Sequence, residues 1–223
     1  MWNDTGYPAA GDAKQLFRDY LAAVPNGVIS DRFRMPNADV RAAARTTSDR
    51  PWESIRPLGL SFGWNRQETA EHVLSPAELV LLLMDVITSN GNLLLGVSPD
   101  DHGRLPESQR ASLAALGDWL RTHGDAVYGT EPWLNPRSTT ADGRVVYLTR
   151  TAVALYAVVE DELRGDTVIA DLHLDTDSEL TLLHAPQARV SHTPGGRGSV
   201  IHLPERSPGS GIATTLRITP VPR

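Results

Sequence analysis

The chain has 223 residues, 40% hydrophobic and 22% charged, with 21 basic against 27 acidic side chains and a net charge of −6. That composition is ordinary for a globular protein, and the absence of a basic run argues against a nucleic-acid partner. No cysteine is present, so disulfides and thiolate metal sites are excluded, and the longest apolar run, Leu79 to Met84, is too short to span a bilayer.

In chain order, Ala13 to Val24 places Leu16, Phe17, Tyr20, Leu21 and Val24 at helical spacing. Gly27 to Arg32 reads as a short strand ending in charge, and Leu60 to Trp64 as another. Ser75-Pro76-Ala77-Glu78 predicts a helix start: Ser as N-cap, Pro at the first helical position and Glu three residues after the cap. That helix runs to about Ser89, where Asn90-Gly91 stops it. Asn92 to Val97 is a buried strand, and Pro106 to His123 a third helix ended by Gly124. Strand, loop and helix in alternation is the rhythm of a parallel sheet or barrel.

After Asn135-Pro136 the pattern changes to short strands: Arg144–Thr149, Ala152–Val159, Thr167–Leu174, Glu179–His184, Ser199–Leu203 and Ala213–Thr219, separated by Gly, Asp and Pro turns. This is the spacing of an antiparallel sandwich. The expected fold is α/β plus all-β, with residues 1–135 forming part of a (β/α) barrel of the TIM type and residues 136–223 a small β-sandwich.

In such barrels the chemistry lies at the carboxyl ends of strands. Asp4, Asp31-Arg32 and Glu53 fall near predicted strand ends, beside several tryptophans. Two carboxylates split glycosidic bonds, aromatic faces stack on pyranose rings, and an arginine fork holds hydroxyls or a carboxylate. The plainer reading makes the carboxylates loop caps and the tryptophans core. The seven histidines are scattered, with no helical ligand spacing, so no metal and no cofactor is expected. The first residues lack the pattern of a secretory signal, which reads as a soluble chain with no visible address.

The stretches WNDTGYP, ISDRF, PWESIRPLGLSFGWNR, LSPAELVLLLMDVITSNGNLLLGVSPDDHGRLPESQ and ALGDWLRTHGDAVYGTEPW together resemble the α-L-fucosidases of glycoside hydrolase family 29. The resemblance covers residues 1 to about 133 in the same order. It implies an irregular (β/α) barrel followed by a β-sandwich, and a retaining exo-glycosidase that releases terminal α-L-fucose. Asp4 of Trp-Asn-Asp stands where the family has its nucleophile. Trp2 lines the fucose pocket, Arg32 contacts the sugar and the nucleophile, and Phe62 of Ser-Phe-Gly packs on the fucose methyl group, with Trp64 beside it.

Two departures from the family pattern matter. A full barrel needs about 250 residues, and the strands that precede Trp-Asn-Asp in the family are absent here. A fucosylated glycan or fucoside is then the expected partner, with a second copy or an absent amino-terminal half completing the site. The family's acid/base glutamate corresponds to Ala44, within Asp39 to Arg45, so Glu53 of the Trp-Glu motif becomes the candidate, with Glu68 and Glu71 behind it. The competing expectation is a catalytically inactive carbohydrate-binding or interaction protein derived from a fucosidase.

Overall fold

The computed structural model describes residues 1, 8, 10–27, 29, 52–205 and 211–222. Helix α1 covers Ala13–Ala23, and the side chain of Asp12 caps it by accepting the Gln15 N–H at 2.9 Å. The strand predicted over Gly27 to Arg32 lies mostly outside the described residues, as do Trp2, Asp4, Arg32 and Ala44.

Strand β1 (Trp52–Pro57), helix α2 (Pro76–Thr88) and strand β2 (Gly91–Gly96) form one βαβ unit. The two strands run parallel in a register from Trp52 opposite Gly91 to Pro57 opposite Gly96. Helix α2 starts where its sequence dictates. Ser75 accepts the Glu78 N–H, and the Glu78 carboxylate takes the Ser75 N–H at 2.8 Å. At the far end Asn90 adopts φ +66° and turns the chain directly into β2. Trp52 donates its indole N–H to the Ser89 carbonyl at 2.8 Å. Its ring lies so close to Gly91 that a Cβ there would stand 2.6 Å from it, which reserves that position for glycine.

The strand predicted over Leu60 to Trp64 is not formed; these residues are a loop. Its alternating apolar side chains face solvent, with Phe62 64% and Leu60 67% exposed. The strand lies earlier, at Trp52–Pro57, where Glu53, Arg56 and Pro57 disguise it.

Helix α3 (Glu107–His123) leads into β3 (Glu131–Thr139), β4 (Val145–Arg150), β5 (Leu155–Glu160), β6 (Asp166–Val168), β7 (Glu179–Leu182), β8 (Ser191–Thr193), β9 (Val200–His202) and β10 (Ala213–Thr219). These make a five-stranded sheet ordered β3-β4-β5-β10-β7 and a three-stranded sheet ordered β6-β9-β8, both antiparallel. Strand β3 runs across residue 135, ahead of the point after Asn135-Pro136 where the short-strand pattern begins in the sequence. The strand predicted over Thr167 to Leu174 stops at Val168, shortly before Asp171 turns the chain at φ +55°.

Side-chain alternation along the central strands builds two cores, one on each face of the large sheet. Val146, Leu148, Leu155, Ala157, Val159, Leu216 and Ile218 pack toward Ile169 and Ile201 on the side of the small sheet. Tyr147, Tyr156 and Val158 turn the other way, onto Val80 and Met84 of α2 and Trp119 of α3. Helix α2 thus lies between the parallel pair and the large sheet. No helix among the described residues is long and apolar enough to cross a membrane.

Candidate active site

The parallel register brings the carboxyl ends of β1 and β2 together, and the loops that leave them form one rim. Leu58 donates its N–H to the Gly96 carbonyl at 2.8 Å, extending the pairing by one step. The β1 loop then carries Phe62 and Trp64. The Phe62 ring packs over Gly96, its Cδ1 3.4 Å from where a Cβ would stand. Trp64, 39% exposed, has the Arg66 guanidinium stacked above its ring at 5.0 Å, and Arg66 reaches Asp101 of the β2 loop at 3.4 Å.

Short polar links hold the rim. The Ser98 hydroxyl donates to the Ser61 carbonyl at 3.2 Å, joining the two loops. The Ser98 N–H donates to the Gln109 side-chain carbonyl at 3.0 Å, anchoring the β2 loop on α3. Asp100 accepts the N–H groups of Arg104 and His102 at 2.8 and 2.9 Å. The Arg104 N–H above all, with the His102 N–H and the Arg104 guanidinium, holds its carboxyl below the usual carboxylate range. Asp100 is therefore a loop-forming group, as its Ser-Pro-Asp-Asp setting implies.

Between these loops and the start of α3 lies a cleft of about 220 Å³ lined by Trp64, Asn65, Arg66, Glu68, Ser98 and Gln109, among others. The Glu68 carboxyl packs against Gly59, where a Cβ would come within 2.2 Å of Oε2, and Oε1 is buried without a hydrogen-bond partner. Gln109 gives no catalytic signal in the sequence; it is a polar residue at a buried helix position.

Of the residues singled out from sequence, Phe62 and Trp64 share this rim. Glu53 does not. It is the second residue of β1, opposite Asn92, at the amino end of the strand. Pro57 lies four residues further along, about 13 Å of extended chain. The expectation that it stands at the carboxyl ends is corrected by the direction of the strand. Asp4, Trp2 and Arg32 lie outside the described residues. Among the described residues, no three His, Asp or Glu side chains are grouped so as to hold a metal ion.

The model of the family described as alpha-L-fucosidase matches residues 2–125, more than half of the chain. The chain belongs to the α-L-fucosidase family. The matched span contains the Trp-Asn-Asp segment, the whole βαβ unit and the rim. The α-L-fucosidase of Dictyostelium discoideum is 29% identical over 167 residues, 74% of this chain and 34% of that protein. The human tissue α-L-fucosidase is 24% identical over 192 residues, 83% of this chain and 40% of its own length. Among solved structures, the Thermotoga maritima α-fucosidase in complex with fucose aligns with a TM-score of 0.85 at 34% identity, covering 98% of this chain and 51% of its own. The chain thus spans about a third of the length of the curated relatives it matches and about half of the solved fucosidases.

Proposed function

We propose that this chain supplies the nucleophile side and the rim of a retaining α-L-fucosidase site acting on terminal fucosyl linkages. The observation that carries the reading is the rim. Two aromatic side chains, Phe62 and Trp64, stand exposed where the parallel strands end, in a chain whose family match includes Asp4. In this reading the residues up to α3 belong to a (β/α) catalytic barrel and the sheets that begin with β3 to a β-sandwich, so the boundary expected at residue 135 lies before Glu131.

Asp4 attacks the anomeric carbon and forms a covalent fucosyl-enzyme, which water then hydrolyses. An Asp-to-Gly variant of the T. maritima enzyme is a fucosynthase, which supports a carboxylate in that role in that protein. Trp2, Phe62 and Trp64 offer apolar faces to the sugar, and Arg32 orients the carboxylate and hydroxyls. Two carboxyl groups of a retaining pair stand about 5–5.5 Å apart, so the proton donor must share the rim with the nucleophile. Glu53, at the other end of β1, does not meet that condition. Glu68 lines the cleft, and we assign proton donation to it.

The test is hydrolysis of aryl α-L-fucosides with good and poor leaving groups by the 223-residue chain and its Asp4→Ala, Glu68→Ala and Glu53→Ala variants. Asp4→Ala should abolish release from both substrates. Glu68→Ala should lose far more rate on the poor leaving group than on the good one, with azide restoring the latter. The same selective loss in Glu53→Ala would return the role to that residue. A folded chain that binds fucosides and releases nothing would favour the inactive carbohydrate-binding reading, which the Ala44 position supports.

A further inference from the structure

We propose that the chain carries a second carbohydrate site, for a neutral pyranoside, in the cleft beside the edge strand β3. This cleft of about 380 Å³ is lined by Trp133, Asn135, Arg137, Leu148, Asp171 and Leu172, among others, and shares no residue with the rim. Its volume falls in the range of small-molecule clefts, about 300–1,000 Å³.

The cleft is made by a break in strand pairing. Pro132 pairs with Thr149 and Arg137 with Tyr147, so five steps along β3 match two along β4. The extra residues bow outward. The chain is gripped again beyond them, where the Ser138 hydroxyl donates to the Ala170 carbonyl and the Ala170 N–H to the Thr139 carbonyl at 2.9 Å. Such bulges re-aim side chains and are built into folds. Here the bulge leaves a concave surface between β3 and the segment that follows β6.

The lining suits a sugar ring. The floor is apolar, with Leu148 and Leu172 both buried, and Trp133 packs its ring against the same core, so the aromatic face is held in place. An aromatic wall takes the C–H face of a pyranose. Asn135 and Asp171 are exposed at the mouth, and their side chains form no hydrogen bond among the described residues. An amide and a carboxylate together can both donate to and accept from neighbouring hydroxyls.

Charge disfavours an anion. The Arg137 guanidinium is already paired with Asp85 at 2.7 Å, which leaves Asp171 as the uncompensated charge at the mouth. A phosphate or carboxylate ligand would meet repulsion there, and a neutral polyol would not.

The experiment is saturation-transfer difference NMR of fucosyllactose with the 223-residue chain, with saturating deoxyfuconojirimycin added to fill the fucose site. Transfer should persist under the iminosugar and fall at least fivefold in an Asn135→Ala/Asp171→Asn double variant. Asparagine tolerates the left-handed backbone at 171, and both positions are exposed, so an unchanged melting midpoint verifies the fold. Trp133→Phe should weaken transfer less than the double variant does. Transfer that vanishes under the iminosugar, that is unchanged in the double variant, or that is absent from the start would overturn the second site. Competition by inorganic phosphate would overturn its neutral character. Free fucose in the same spectra reports on hydrolysis separately, so loss of the catalytic reading is not confused with loss of this one.

Discussion

Arg137 of β3 and Asp85 of α2 form an ion pair at 2.7 Å, and the same guanidinium donates to the Asp85 carbonyl at 3.0 Å and the Ser89 hydroxyl at 2.8 Å. One side chain thus ties the large sheet to the end of the helix that connects the two parallel strands. The pair is half-buried, and removing Arg137 takes away its three hydrogen-bonded contacts to α2 together. Arg137→Met should cost about 2 kcal/mol, a drop of about 4–8 °C in melting midpoint for a domain of this size. Asp85→Asn should cost less, because an amide oxygen still accepts.

His123 sits at the same junction and is 1% exposed. Its ring stacks on Trp119 at 4.9 Å and its Nδ1 lies 2.8 Å from the Thr215 hydroxyl. Burial first, and the neighbouring His184 second, push its pKa down from 6.5 to about 4. The folded state therefore holds the neutral ring, while the unfolded chain takes up a proton near pH 6.5. Its contribution to stability is complete above pH 6.5 and declines as the pH falls toward 4. Urea midpoints measured across pH 4–7 should show this slope, and His123→Gln should reduce it, the remainder coming from His184, which burial also holds below its usual range.

Gly59 and Glu68 form a coupled pair. A Cβ at position 59 would meet Glu68 Oε2 at 2.2 Å. Gly59→Ala should push the carboxyl aside and lower both stability and fucoside turnover. In a Glu68→Ala background the obstacle is gone, and the same substitution should be nearly neutral for stability. A double-mutant cycle on melting midpoints reads this coupling directly. Additive losses would show that the contact does not shape the loop.

Phe62 is exposed and packs only one side of its ring on Gly96, so Phe62→Ala should leave the melting midpoint within about 1 °C, as surface changes do. Its effect should appear in kcat/KM for an aryl α-L-fucoside, a loss of roughly 10-fold or more, the scale of one lost apolar contact in a pocket. A loss of stability without a loss of turnover would assign Phe62 to the scaffold.

What was legible in the sequence was local. Ser75, Pro76 and Glu78 announce the start of α2 by chemistry that needs no partner, and Asn90-Gly91 announces its end. The strands from Val145 to Glu160 and Ala213 to Thr219 also stood out, because runs of β-branched and aromatic residues fit a sheet buried on both faces. The rim was misread because Leu60, Phe62 and Trp64 alternate like a half-buried strand while serving as an exposed loop. Glu53 was misplaced for a related reason. Its sequence position just before Leu60 suggests a strand end, whereas the strand begins at Trp52 and carries Glu53 as its second paired residue. Strand β3 escaped notice because Pro132 and Pro136 argue against a sheet, and only its place at the edge permits them.

That edge position has a consequence for how copies of the protein behave together. An open strand invites pairing with the next molecule. On β3 two residues lack an N–H to offer, the ladder is interrupted between them, and the exposed Glu131 places charge at its start. The irregularity that hollows out a cleft also denies neighbouring chains a template, so a straightened β3, with both prolines replaced and the bulge deleted, would turn a self-limiting sheet into a seed for aggregation.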